Sequence, residues 1–207
     1  MRTNTWFWDW IANRYSKIQI NDETAYQTKL EITREHLTPD SRVLEFGCGT
    51  GSTALAHAAY AKDIWATDVS HRMIAIAQSK AKALNVDNVA FEQVDIESLT
   101  APDGSFDMVM GHSILHLLDE KEAAIARVFD LLKPGGVFVT STVCIGNSLW
   151  FIKPFLMAGR LIGVLPLIRL LTKDGLEKSM TDAGFEIDQS LAMSNTKVAF
   201  IVARKAL

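Results

Sequence analysis

Short hydrophobic runs alternate with longer amphipathic segments from Arg42 to the end of the chain. Four of these runs are rich in β-branched and aromatic residues, and polar or glycine residues stop each one. Strands that alternate with helical patterns form βα units, so the pattern predicts a parallel sheet whose polar strand ends meet at one edge. The four predicted strands are 42–46 (RVLEF), 63–67 (DIWAT, before Asp68), 89–94 (VAFEQV, before Asp95) and 106–110 (FDMVM, before Gly111).

The segments between and after these strands complete the prediction of an α/β fold. Residues 53–61 are alanine-rich and helical in pattern, and Ser70 can cap a helix that runs to about Leu84. A helix from about Lys121 to Leu132 is closed by LKPGG, in which proline and glycine permit a tight reversal. The remaining predicted elements are strand 136–142, a helix up to Ala183 and Gly184, and strands 185–191 and 198–205.

Two segments do not follow this alternation. Residues 1–40 are predicted to form an N-terminal helical cap that begins with an aromatic cluster of Trp6, Phe7, Trp8 and Trp10. An apolar insertion at 146–171 is predicted to form two short helices as a lid, because proline interrupts a helix. The charged residues and prolines that break it are Lys153, Pro154, Arg160, Pro166 and Arg169.

Length and composition favour one globular domain, residues 1–207. The chain has 207 residues, of which 48% are hydrophobic, so it can bury one substantial core. Its net charge of −3 includes no long basic run, which argues against nucleic acid as a partner. Cys48 and Cys144 lie in no disulfide or metal-ligand pattern, and no charged leader or run of about 18 apolar residues occurs. We therefore expect a cytoplasmic protein.

A glycine-rich turn follows the first predicted strand directly. Residues 45–51 read EFGCGTG, and successive glycines between a strand and a helix allow the backbone to approach a ligand closely. The dinucleotide fingerprint requires a third glycine at the position of Ser52, whereas the spacing here is GxGxG with a preceding acid at Glu45. This spacing argues against a nicotinamide oxidoreductase.

Acidic residues end the next two strands. Asp68 lies where a carboxylate can accept hydrogen bonds from both ribose hydroxyls of a nucleoside, and Asp95 can accept one from an adenine amine. Open α/β sheets bind ligands at this position, beside the first strand. The alternative interpretation is that Asp68 and Asp95 are ordinary solvated turn or cap residues.

The motifs together resemble those of class I S-adenosylmethionine-dependent methyltransferases. The resemblance covers about residues 40–145 and is carried by VLEFGCGTG, the acid in ATDVSHRM, VDIES, FDMVMGHSILHLL and LLKPGGVFV, with GFEI and VAFIVARK resembling the last two strands. It implies a Rossmann-like, seven-stranded, mostly parallel sheet with the last strand antiparallel and helices on both faces. It also implies S-adenosylmethionine as cofactor and S-adenosylhomocysteine as product.

The resemblance assigns a cofactor role to residues from several parts of the chain. It implies that the glycine turn faces the methionine moiety, that Asp68 holds the ribose, and that Tyr15 closes over the cofactor. An aromatic ring there could attract the sulfonium cation, although Tyr15 could instead merely pack its own helix. The implied cofactor-binding residues are Tyr15, Glu45, Gly47, Cys48, Gly49, Gly51, Asp68, Val69, Met73, Asp95, Ile96 and His112.

Methyl transfer from a sulfonium needs alignment and exclusion of water more than a dedicated catalytic group. Should the acceptor lose a proton, the candidate bases after the fourth strand are His112 and His116, which would share one helical face if this segment is helical. His112 could instead line the cofactor through its backbone, and His116 could be a substrate-wall histidine. No metal site is expected, because no third ligand has suitable spacing. Cys48 is interpreted as a small buried residue.

The motifs disfavour one class of methyl acceptor. The segment after the fourth strand reads GHSI. It lacks the Asn- or Asp-Pro-Pro-aromatic motif that is typical of methylases acting on the amino group of adenine or on an amide nitrogen. A predicted lid suits a small apolar or aromatic acceptor, and its residues are Trp150, Phe151, Phe155, Leu156 and Met157. Alternatives are an enzyme that contacts a membrane surface through residues 1–20 and 146–171 and methylates a lipid or quinone, or a non-catalytic cofactor-binding module. The same apolar cap could serve a homodimer.

Overall fold

A seven-stranded sheet forms the centre of the protein. The computed structural model describes residues 5–18, 22–144, 146, 167–193 and 197–207. The strand order is β3-β2-β1-β4-β5-β7-β6, and neighbours from β3 to β5 run parallel. The strands are β1 (Arg42–Phe46), β2 (Asp63–Asp68), β3 (Val89–Gln93), β4 (Phe106–His112), β5 (Leu132–Val143), β6 (Phe185–Met193) and β7 (Val198–Lys205).

The last strand lies between β5 and β6 and is antiparallel to both. Its register pairs Val139 with Val202 and Thr140 with Ile201, so the apolar run of β7 is buried in the sheet. This arrangement confirms the predicted Rossmann-like α/β fold, including the inserted antiparallel strand.

Six α-helices surround the described part of the sheet. Several begin at a side-chain cap: Ser70 Oγ accepts from Met73 N at 3.1 Å, and Thr172 Oγ1 accepts from Gly175 N at 3.1 Å. The helices are α1 (Thr5–Tyr15), α2 (Glu23–Arg34), α3 (Ser52–His57), α4 (His71–Leu84), α5 (Lys121–Leu131) and α6 (Lys173–Asp182).

Alternate strand residues fill two separate cores, one on each face of the sheet. Leu44 and Phe46 belong to the core that α5 and α6 cover, whereas Val43, the residue before Leu44, belongs to the core that α3 and α4 cover. Successive strand side chains point to opposite faces, so a sheet covered on both sides has apolar residues at consecutive positions. Burial on both faces holds the strands in position, and with them the strand ends that carry the predicted site residues.

The structure corrects several local predictions. The third strand ends at Gln93, and the first sheet helix is a shorter α3 followed by a 3₁₀ turn at Ala58–Tyr60. The LKPGG segment lies within β5 at a register irregularity, because Phe106 pairs with Leu132 but Met108 pairs with Val137. The segment after β4 is not an α-helix: His112 ends the strand and His116 lies in a 3₁₀ turn.

Most of the predicted lid lies outside the described residues, including Trp150, Phe151, Phe155, Leu156 and Met157. The described end of the insertion packs beside the 3₁₀ turn at Leu115–Leu117. There Arg169 N donates to the His116 carbonyl at 2.7 Å, and Arg169 Nε donates to the Leu118 carbonyl at 2.9 Å. Within the described part of the chain, no helix is long and apolar enough to cross a membrane.

Candidate active site

The carboxyl ends of the parallel strands border a cavity of about 600 Å³. Helix α1 lies across it and contributes Phe7, Trp8, Ile11 and Tyr15. The structure brings most of the predicted site residues to this one cavity, although they come from α1, α4, the strands β2 and β4 and the segments that follow β1 to β4. The predicted residues that line it are Tyr15, Gly47, Gly49, Asp68, Val69, Met73, Asp95, Ile96, His112 and His116.

The glycine turn has a backbone that side chains would disturb. Gly47 has φ +65°, and a Cβ atom there would lie 2.7 Å from the Ile114 side chain. Gly51 has φ +75°, and its Cβ would lie 2.6 Å from the Phe91 ring, so this glycine permits packing of the turn on α4 and β3. Gly47 and Gly49 line this cavity and also a second, smaller cavity, whereas Gly51 lines neither.

Asp68 is held rigidly beside the glycine turn. Its Oδ2 accepts from Gly49 N at 2.9 Å, and its Oδ1 accepts from Ser70 N at 2.8 Å. Burial raises the pKa of Asp68 and nearby Asp9 adds to the rise, while these backbone hydrogen bonds oppose it. Each carboxylate oxygen has more than one acceptor site, so Asp68 can still accept hydrogen bonds from a ligand.

Asp95 caps the turn that follows β3. Its Oδ1 accepts from Ser98 N at 2.7 Å and from Ser98 Oγ at 2.6 Å. The turn-cap interpretation of Asp95 therefore holds, yet Asp95 also lines the cavity beside Ile96 and Met73, which are 3% and 2% exposed. This end of the cavity combines a carboxylate with two apolar surfaces.

Helix α1 is fastened to the start of α4 by Asp9. Ser70 Oγ donates to Asp9 Oδ1 at 2.6 Å, and His71 Nδ1 lies 3.0 Å from Asp9 Oδ2. Burial acts in the opposite direction, but the hydrogen bonds from Ser70 and the Arg72 backbone amide lower the pKa of Asp9. Asp9 thereby places Tyr15, at the end of α1, over the glycine turn.

Tyr15 lies close to the backbone of the turn. Its Cε1 atom is 3.7 Å from the position that a Cβ would take at Gly49. Partial burial raises the pKa of Tyr15, and the charges of Asp68 and Glu45 raise it further. The phenol is therefore neutral near pH 7 and cannot act as a base there.

His112 and Ser113 separate this cavity from a second one. The Nδ1 atom of His112 lies 3.2 Å from Ser141 Oγ, and Ser113 adopts φ +54°, which is uncommon for residues other than glycine. Burial, together with the charges of His57 and Lys29, lowers the pKa of His112 to about 3. His112 is therefore a neutral hydrogen-bonding group and a weak base.

His116 lies at the apolar end of the first cavity. Burial lowers its pKa, so the imidazole is neutral near pH 7. Its Nδ1 atom is buried and has no hydrogen-bond partner among the described residues. The apolar side chains around it are Leu117, Leu118, Val143, Leu167 and Ile168.

The second cavity, of about 360 Å³, lies between the glycine turn, α2 and α3. Glu45 and Cys48 line this cavity and not the first one. Burial raises the pKa of the Cys48 thiol well above its usual range, so the thiol is protonated. Burial also raises the pKa of Glu45 to about 8, while the Ala54 backbone amide opposes the rise and the charge of Asp68 adds to it.

Several polar residues of the second cavity were not predicted from the sequence. Tyr26, Lys29 and Thr33 follow one another at helical spacing on α2, and this spacing was the available signal. His57, Ser141 and Lys80 reach the cavity through long-range packing. In the described ranges, no group of three or more His, Cys, Asp or Glu residues could hold a metal ion.

Comparison with known proteins extends these observations. A family described as a methyltransferase domain matches residues 43–136. The uncharacterized methyltransferase YcgJ of Bacillus subtilis is 36% identical over 110 residues, which are 53% of this chain and 44% of that protein. Its crystal structure superposes with a TM-score of 0.71 at 18% identity and covers 87% of this chain and 99% of that one. An uncharacterized protein of Haemophilus influenzae is 28% identical over 177 residues, 83% of this chain and 69% of that protein.

The fold recurs in an enzyme whose ligands are known. Geranyl diphosphate C-methyltransferase from Streptomyces coelicolor, in complex with Mg²⁺, geranyl diphosphate and S-adenosylhomocysteine, superposes with a TM-score of 0.69 at 14% identity, covering 87% of this chain and 79% of that one. This chain spans less than half the length of the first curated relatives it matches, 44% and 24%. Residues 43–136 therefore match a methyltransferase domain, and the motifs at the strand ends are similar to those of class I S-adenosylmethionine-dependent methyltransferases.

Proposed function

We propose that this chain transfers the methyl group of S-adenosylmethionine to a small acceptor with an apolar or aromatic body. The observation that carries the proposal is a single cavity with two chemically different ends. One end has the carboxylates of Asp68 and Asp95 beside Met73 and Ile96, and the other has apolar walls around His116. Enclosed, mostly apolar space with a few polar groups is typical of small-molecule sites.

The polar end fits the nucleoside part of the cofactor. Asp68, oriented by two backbone amides, would accept hydrogen bonds from the ribose hydroxyls, and Asp95 would accept one from the adenine amine. Met73 and Ile96 would pack against the adenine ring. Tyr15 would place its ring beside the sulfonium, where a cation is attracted to the π-face.

The chain's own residues would act mainly by positioning. When bound, the cofactor would supply a methyl group on an already activated sulfonium, so the protein would need mainly to align the acceptor with that methyl group. With the ligands bound, helix α1 and the apolar walls would keep water away from the reacting atoms. Should the acceptor lose a proton, the imidazole of His116, which lines the cavity, would take it, while His112 would hold the acceptor or cofactor by a hydrogen bond.

The structural neighbour that binds geranyl diphosphate supports an acceptor with an apolar body, because its fold accommodates such a molecule together with S-adenosylhomocysteine. The test is incubation with methyl-labelled S-adenosylmethionine and a cell extract, followed by separation into lipid, soluble-metabolite, protein and nucleic-acid pools. Label in soluble metabolites is expected, and an Asp68→Ala protein serves as the control. Cofactor binding without label in any pool would favour a non-catalytic binding module instead.

A second candidate is methylation of a lipid or quinone at a membrane surface. Trp6 and Trp10 lie one helical turn apart on α1 and are 52% and 70% exposed, which is typical of an interfacial helix. Label in the lipid pool would favour this candidate. Co-sedimentation with phosphatidylglycerol vesicles, lost in a Trp6→Ala, Trp10→Ala double variant, would confirm it.

A further inference from the structure

Two segments that are distant in the sequence meet at the apolar end of the first cavity. Residues 116–119, after β4, contribute one part of its lining, and Leu167 and Ile168, near the end of the insertion, contribute another. Gly146 N donates to the Leu171 carbonyl at 2.7 Å, so the described ends of the insertion lie together. The shape of the apolar end therefore depends on how firmly the insertion is attached to the segment after β4.

The 3₁₀ turn that carries His116 is too short to satisfy its own carbonyl groups. It comprises Leu115–Leu117, and Leu118 is already extended, with ψ 139°. The last carbonyl groups of a helical turn have no partner within the turn. Buried carbonyl groups are normally paired, so those of residues 116–119 need donors from elsewhere in the chain or from water.

Arg169 supplies donors for three of these four carbonyl groups. Its backbone N–H donates to the His116 carbonyl at 2.7 Å, and its Nε donates to the Leu118 carbonyl at 2.9 Å. Its Nη2 donates to the Asp119 carbonyl. A guanidinium presents its N–H donors in a fixed planar arrangement, so it can hold two carbonyl groups in a defined relative position. Arg169 thereby fastens the end of the insertion to the segment after β4.

The two flanks of residues 116–119 are held without Arg169. Leu115, directly before the segment, is fully buried in the core, and Lys121, at the start of α5, is 7% exposed. Losing the Arg169 side chain should therefore change this segment locally and leave the fold intact. His116 lies in the segment and lines the cavity, so the position of its imidazole depends on these contacts.

We propose that Arg169 is a positioning residue for the methyl acceptor. Arg169 is not among the described residues that line the first cavity, so it acts through the residues that it holds. It fixes the imidazole of His116 and the side chain of Leu118 against the end of the insertion. Resting on the proposed function, this contact sets the width of the apolar end and therefore which acceptors fit there. The carboxylates of Asp68 and Asp95, at the other end of the cavity, are independent of it.

The variant Arg169→Met tests the proposal because it removes both side-chain donors and keeps the backbone N–H. Calorimetric titration should give an affinity for S-adenosylhomocysteine within twofold of wild type. In the extract assay with methyl-labelled S-adenosylmethionine, the rate is measured at several extract concentrations. The expected result is a kcat/KM at least tenfold lower, mainly through a higher KM, because the wall that contacts the acceptor is displaced.

Two further variants separate positioning from a general loss of stability. Arg169→Lys keeps one charged donor and should restore part of kcat/KM, and it provides the same comparison should the methionine variant not fold. Arg127→Met is the matched control: Arg127 Nη2 donates to the Ala101 carbonyl at 2.7 Å, and neither residue lines the first cavity. This control should leave kcat/KM within twofold of wild type.

The NMR signal of the His116 ring tests the positioning role without any methyl acceptor. Burial lowers the pKa of His116 below 6.5, so in Arg169→Met saturated with S-adenosylhomocysteine this pKa should rise toward 6.5. The ring signal of His57, in the second cavity, should not change. This result with unchanged S-adenosylhomocysteine affinity supports the positioning role even if no pool is labelled and the proposed methyl transfer fails. An unchanged His116 pKa, a kcat/KM within twofold of wild type, or a tenfold loss of S-adenosylhomocysteine affinity in Arg169→Met would overturn the proposal.

Discussion

Replacing Glu45 by glutamine should stabilise the protein without ligand, and the gain should grow with pH. Glu45 is 2% exposed, and burial raises its pKa from 4.5 to about 8. The protonated side chain therefore favours the folded state. Its contribution is fully present below about pH 4.5 and is lost as the pH rises through about 8. Glutamine keeps the shape of the protonated acid and cannot ionise.

The magnitude follows from the pKa difference. One pKa unit corresponds to about 1.4 kcal/mol, so wild type should lose roughly 3 to 4 kcal/mol of unfolding free energy relative to Glu45→Gln between pH 5 and pH 8. Urea denaturation of both proteins at several pH values in this range measures the difference. Glu186→Gln, at an exposed position on β6, is the control for the same substitution outside the core. A Glu45→Gln difference that is independent of pH would refute the reasoning.

Three further predictions concern packing, positioning and chemistry. Gly51→Ala should destabilise the protein by roughly 2 to 4 kcal/mol in thermal denaturation, since its Cβ would overlap the Phe91 ring at a φ of +75°. Asp9→Ala removes the acceptor of the Ser70 hydroxyl and should weaken S-adenosylhomocysteine several-fold in calorimetry, because α1 is no longer fastened over the cavity. His116→Gln should lower kcat about tenfold or more with unchanged cofactor affinity if the acceptor must lose a proton.

The first two of these variants have a control that separates the expected effect from general unfolding. Gly104 has φ +65° and no atom within 4 Å of an added Cβ, so Gly104→Ala measures the cost of backbone strain alone. An equal loss of stability in Gly104→Ala would mean that overlap with the Phe91 ring does not explain the effect of Gly51→Ala. Asp9→Asn retains an acceptor oxygen and should bind more tightly than Asp9→Ala. Unchanged affinity in Asp9→Ala would contradict the positioning role. A kcat for His116→Gln within twofold of wild type would leave His116 as a wall residue.

The sheet was predictable because burial on both faces makes its strands short apolar runs. Such runs end where glycine or a carboxylate follows, so the sequence alone predicts that Gly47, Asp68 and Asp95 lie at one edge of the sheet. The segment after β4 was harder. The sequence spacing of His112 and His116 is compatible with a helix, but Ser113 at φ +54° breaks it and separates the two rings.

Residues brought together by long-range packing could not be predicted from local patterns. Asp9 meets Ser70 across 61 positions, and no periodicity encodes this contact. Lys29 resembles an ordinary solvated helix lysine until α2 packs near α3 and encloses it. The neutrality of Glu45 has the same origin, because burial, a property of the assembled fold, raises its pKa.

Equilibrium titration of wild type and Asp68→Asn with S-adenosylhomocysteine and with NADH tests the central claim most directly. Wild type is expected to bind S-adenosylhomocysteine, and to bind it far more tightly than NADH. Asp68→Asn is expected to bind S-adenosylhomocysteine at least tenfold more weakly than wild type does, because one carboxylate acceptor becomes a donor. Tighter binding of NADH than of S-adenosylhomocysteine, or an affinity that Asp68→Asn does not change, would contradict it.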